Sequence, residues 1–145
     1  MILVGTDGSV PALAAERTAI ELAATTGDSL LFVTVWRELH GDFGLPLRTL
    51  IPDVVDIERD WATETVEAAA ARADEAGVQA EGETRHGKPA DEICAVAREH
   101  EARIIVVGSS GWGSVTGALL GSVSAQILHH APCPVLVVPR AESDD

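Results

Sequence analysis

The sequence predicts an α/β domain, an open parallel sheet of five strands with helices on both faces. Two observations carry that expectation. Short, nearly continuous apolar runs alternate with longer stretches of helical periodicity, and the runs have the unbroken apolarity of strands buried on both faces. Strand-helix-strand units of this kind cross over right-handed, and their ligands sit outside the carboxyl ends of the strands, where the winding reverses.

The first strand is Ile2 to Thr6, followed by the turn Asp7-Gly8-Ser9 and a helix with small apolar residues at Ala12, Ala15, Ala19, Leu22 and Ala23. Gly27-Asp28 turns the chain into a second strand, Leu30 to Trp36. From Arg37 to Pro52 the pattern breaks into Gly, Pro and polar residues, a connection long enough to serve as a lid or contact surface. A long helix runs from Asp53 to about Ala76, with Val54, Ile57 and Trp61 at helical spacing and Gly77 as its C′ residue. Val78 to Arg85 alternates loosely and is the weakest strand, and Gly87-Lys88-Pro89 opens a helix whose inner face is Ile93, Val96 and Ala97. Arg103 to Val107 is the fourth strand. A last helix, Leu119 to Ala131, turns Leu120, Val123, Ile127 and Leu128 inward and ends at Pro132. Val135 to Val138 is the fifth strand, bracketed by Pro134 and Pro139, and residues 141–145 form an acidic tail.

At 145 residues the chain is one domain, residues 1–140, and buries roughly two-thirds of its unfolded surface. Only Phe32, Phe43, Trp36, Trp61 and Trp112 are aromatic, so the core is built from Ala, Val, Leu and Ile. No basic leader or long apolar segment opens the chain, which points to a cytoplasmic protein that does not enter membranes. The net charge of −13, with Lys88 the sole lysine, argues against nucleic acid as a partner. It also points to a halophilic-type surface working at high salt, where screening shortens to about 3 Å at 1 M. Cys94 and Cys133 lack a close Cys or His at metal spacing and read as buried thiols.

The informative stretch lies between Gly108 and Ser122. There a strand gives way to small residues and then to a helix start. Gly108, Gly111 and Gly121, with Ser109, Ser110, Ser122, Val123 and Ser124, offer backbone amides and hydroxyls at a helix N-terminus, a cradle for phosphate. The same composition also describes a flexible connection. The run holds no lysine and is not a P-loop, so a bound triphosphate calls for Mg²⁺ or Mn²⁺. His129-His130 at a helix end reads as a favourable cation near the dipole, and His40, Asp42 and His86 as ordinary surface groups. Trp112 fits a base-stacking residue, an exposed flap or a partner contact equally well. No spacing supports a Ser/His/Asp or Cys/His arrangement, so a dedicated catalytic activity is not expected.

Gly108-x-x-Gly111, nine residues, then Gly121-Ser122 resembles the ATP-binding signature of the universal stress protein family. Val106-Val107-Gly108-Ser109 and Pro132-Cys133-Pro134-Val135-Leu136-Val137-Val138 resemble its last two strands, Ile2 to Ser9 its opening strand and turn, and Gly87 to Ile93 its third-helix entry. The resemblance implies a Rossmann-like sheet of order 3-2-1-4-5, an ATP-binding stress-response protein, and a homodimer joined through Val135 to Val138. By position it implies Asp7 and Val35 at the adenosine end, and Gly108, Gly111, Gly121 and Ser122 along ribose and phosphates. Read from its own residues, Asp7 also fits a helix-capping role beside Ser9. Two alternatives stay open, a dimeric interaction module that binds no nucleotide and a slow nucleotide hydrolase.

Overall fold

The computed structural model describes residues 1–37, 49–51, 53–110 and 120–140. Its elements run β1 (Ile2–Gly5), α1 (Val10–Thr26), β2 (Leu30–Trp36), α2 (Val54–Glu75), β3 (Ala80–His86), α3 (Pro89–Glu99), β4 (Ile104–Gly108), α4 (Ser122–His130) and β5 (Val135–Val138). Among the described residues the sheet has five strands, all parallel, in the order β3-β2-β1-β4-β5. Fold class and strand order are therefore those the sequence predicts.

Alternate residues of the central strands feed two cores. Leu3, Leu31, Val33, Ile105 and Val107 pack with Ile93 and Val96 of α3 and Ile127 of α4. On the opposite face Ile2, Val4, Leu30, Phe32 and Val106 pack with Ala15 and Ala19 of α1 and Val66 and Ala69 of α2. Small residues on α1 and α2 let these helices lie close to the sheet. Gly82 of the edge strand β3 makes the same point, since a Cβ there would sit 2.8 Å from Val66 Cβ.

Three expectations need correction. Ile57 and Trp61 keep the predicted helical spacing, yet they are 63% and 42% exposed, and α2 buries Ala62, Val66, Ala69 and Ala73 instead. Leu128 is 48% exposed, because α4 packs through Val123 and Ile127. Cys94 is buried as expected but Cys133 only partly so, and burial pushes both thiols upward. Physically, periodicity finds a helix but does not choose which of two apolar stripes meets the sheet. Close packing favoured the alanine stripe on α2.

The two sheet edges differ in chemistry. β5 presents Val135, Leu136 and Val137, half-buried, whereas β3 carries Glu83, Thr84 and Arg85. Arg85 is gripped by Glu83 at 2.9 Å and by Glu99, which raises its guanidinium further above its ordinary range.

Candidate functional site

β1 and β4 are neighbours in the sheet, so the turns at their carboxyl ends face one crevice. The β1 turn is closed by its own side chains. Ser9, the N-cap of α1, accepts the Ala12 N–H at 3.3 Å, the Asp7 carboxylate accepts the Ser9 N–H at 3.0 Å, and the Thr6 hydroxyl accepts the Gly8 N–H at 3.2 Å. Gly8 is needed because its φ is 76°, a left-handed conformation that costs other residues energy.

The β4 turn is held by backbone. Ser109 donates its N–H to Val138 at 2.9 Å and accepts the Gly121 N–H at 2.6 Å. Gly108 lies under the start of α1, where a Cβ would come within 2.8 Å of the Pro11 carbonyl oxygen. A Cβ on Gly121 would lie 3.2 Å from the Ser109 oxygen. Gly108 is thus demanded by close backbone approach, while at Gly121 a Cβ would fit only if the turn gave by a few tenths of an ångström. Ser124 is 3% exposed, and its hydroxyl donates to the Gly108 carbonyl at 2.6 Å, bracing the turn from below.

Gly121 is the N-cap of α4 and supplies no side-chain acceptor. No described side chain caps the first-turn amides of Ser122, Val123 and Ser124, which sit at the positive end of the helix dipole. Ser122 is exposed, while the Val123 side chain points into the core, leaving its backbone as the part able to face the crevice. Ser109 and Ser110 are half-buried beside it. Gly111, Trp112, His40 and Asp42 lie outside the described residues.

A cavity of about 300 Å³ opens beside the β1 turn, its wall mostly apolar, lined by Asp7, Val35, Trp36, Arg37, Glu58, Trp61 and Pro89. Asp7 and Val35, named from the resemblance, share this wall. A second hollow of about 380 Å³ adjoins it, with Asp7 and Trp61 common to both and Arg72 on its far side. Trp36 is turned toward His86, the ring centres 4.4 Å apart. His129 and His130 stand exposed in the last turn of α4.

Sequence reasoning did not find Trp36, Trp61, Glu58 or Arg37 as cavity walls. It also missed Glu16, which lies among the alanines of α1 and is 1% exposed, its carboxylate taking Thr6 and Arg72. A run of small apolar residues at helical spacing was the available signal that this face goes inward. What a single glutamate there would meet depends on α2.

The Universal stress protein family model matches residues 1–139. The chain is 34% identical to universal stress protein YxiE of Bacillus subtilis over 94% of this chain and 97% of that one. It is similar to a universal stress protein crystallised in complex with cAMP, at 29% identity and a TM-score of 0.72, covering 97% of each chain. It is also similar to the universal stress protein from Archaeoglobus fulgidus in complex with dAMP, at 25% identity and a TM-score of 0.67, covering 94% of this chain and 95% of that one.

Proposed function

Since this chain belongs to the universal stress protein family, we propose that its crevice binds ATP, with Mg²⁺ or Mn²⁺, and that occupancy changes a surface read by a partner. The observation that carries this reading is the contrast between the two helix starts: α1 is capped by side chains and bears Asp7, whereas α4 begins at a bare glycine. An anion is favoured at α4 and repelled at Asp7, which orients a nucleotide with its phosphates toward Gly108, Ser109, Ser110, Gly121, Ser122, Val123 and Ser124. Its base then faces Asp7 and Val35, where the mostly apolar cavity suits a heterocycle and the carboxylate can accept a hydrogen bond from an amino or hydroxyl group. Among the described residues the phosphate end offers Ser109, Ser110 and Ser122 hydroxyls and no carboxylate. A divalent ion there would ride chiefly on the phosphates and offset their charge.

A second reading, an adenosine monophosphate in place of ATP, is favoured by the cAMP and dAMP named for two structural relatives. Isothermal titration of nucleotide-free protein with Mg-ATP, AMP and cAMP tests both. Saturable binding of ATP supports the first, preference for a monophosphate supports the second, and no saturable binding of any overturns both.

The half-buried β5 edge is the surface we propose for pairing two copies of the chain, since exposed strand edges of this apolarity pair readily. A monomeric mass in sedimentation at working salt would overturn it.

A further inference from the structure

We propose that Thr6 and Glu16 are positioning residues that fix the Asp7 turn, and that the buried charge of Glu16 does so by setting the direction of the Thr6 hydroxyl. This rests on the reading of the crevice as a nucleotide site. Thr6 is fully enclosed and every polar group it carries is engaged. Its N–H donates to the Val33 carbonyl at 2.9 Å, its carbonyl accepts from the Thr34 hydroxyl at 2.8 Å, and its hydroxyl lies 2.6 Å from Glu16 Oε1 and 3.2 Å from the Gly8 nitrogen.

An ionised carboxylate only accepts hydrogen bonds, so the Thr6 proton goes to Glu16 and the hydroxyl lone pair is turned to the Gly8 N–H. Gly8 is held in its left-handed conformation, and the Asp7 carboxylate beside it is pinned by the Ser9 N–H. The other Glu16 oxygen accepts from Arg72 Nε at 3.0 Å and Nη2 at 2.6 Å, so α2 balances the charge. Arg72 lines the hollow that Asp7 also lines. One line of hydrogen bonds thus runs from α2 to the wall of the proposed base site.

Stability alone gives little reason for this arrangement. Glu16 is enclosed while Arg72 is 42% exposed, and the cost of taking the carboxylate out of water offsets much of the attraction between them. What apolar residues cannot supply is an acceptor that orients the Thr6 proton.

The test separates folding, turn geometry and binding. Thr6→Val, Thr6→Ser and the double variant Glu16→Met/Arg72→Leu are compared by thermal melting, by Gly8 amide exchange in NMR, and by AMP and Mg-ATP titration. The double variant is expected to remain folded, its melt lowered by no more than the scale of the one buried hydrogen bond that the Thr6 proton loses. It and Thr6→Val are nonetheless expected to show Gly8 exchange about tenfold faster and nucleotide binding about tenfold weaker, the scale of one hydrogen bond. Thr6→Ser, which restores the hydroxyl, is expected to recover both. Folded variants with unchanged Gly8 exchange overturn the inference, as does faster exchange with unchanged affinity. If the wild-type protein binds no nucleotide, the reading of the crevice fails, and Gly8 exchange alone still decides whether Glu16 holds the turn.

Discussion

The turns after β1 and β4 stand side by side and both lead into helices, yet they solve the helix-start problem in opposite ways. After β1, Ser9, Asp7 and Thr6 take the Ala12, Ser9 and Gly8 amides with side chains. After β4, Ser109 carries the turn with backbone bonds, and α4 opens at Gly121 without a side-chain acceptor. The difference teaches that a helix start is left open as much by withholding a side-chain cap as by adding glycine. Among the described residues no side chain takes the first-turn amides of α4, and donors of that kind suit an anion.

The contrast is broken most severely by giving α4 a negative cap of its own. Gly121→Asp sets a carboxylate at the proposed phosphate end, and it should weaken Mg-ATP binding by about 2–3 kcal/mol, approaching a hundredfold, measured by titration calorimetry. Gly108→Ala drives a Cβ into the Pro11 carbonyl. It should cost about 1–3 kcal/mol of stability in urea unfolding, because both contacting groups are backbone and cannot swing away. Removing the cap on the other turn, Ser9→Ala, should cost about 1 kcal/mol by the same measurement.

The smallest effect lies away from both turns and sharpens the comparison by serving as a control. Arg85 holds the Glu99 carboxyl below its ordinary 4.5 through a hydrogen bond. The Thr26 hydroxyl first, with Arg103 adding to it, holds Asp28 below its ordinary 3.8. Both carboxyls are lowered on folding, so the stability they contribute is fully present above those ordinary values and is lost as pH falls through the lower folded ones. Glu99→Gln should flatten the acid limb of a stability-against-pH curve below about pH 4.5, and less so in 1 M salt, while leaving nucleotide titration at neutral pH unchanged.

Much of the fold was legible because strand burial leaves a plain trace. Leu30 to Trp36 is a strand with the predicted ends, and Pro89 opens α3 as its fixed φ allows. Less legible was which stripe of an amphipathic helix faces inward. Ile57, Trp61 and Leu128 stand exposed because alanine and valine stripes allowed closer approach to the sheet. At the candidate site, the sequence brought attention to Gly108, Gly121, Ser122, Asp7 and Val35. Trp61 carried no local signal of its place, and for Glu16 the alanine spacing signalled an inward face but not its partners.

By itself the sequence determined the alternation of strands and helices, which calls for a parallel sheet, and the small-residue stretch past β4. These are consequences of local preference and periodicity, which any stretch of ten or twenty residues expresses alone. Tertiary structure alone decided that Glu16 meets Thr6 and Arg72, that Trp61 walls a cavity with Val35, and that the Gly121 amide is spent on Ser109. Those pairings join residues on separate elements. The identity of a partner is fixed by how the helices settle on the sheet, which close packing selects and no local pattern encodes.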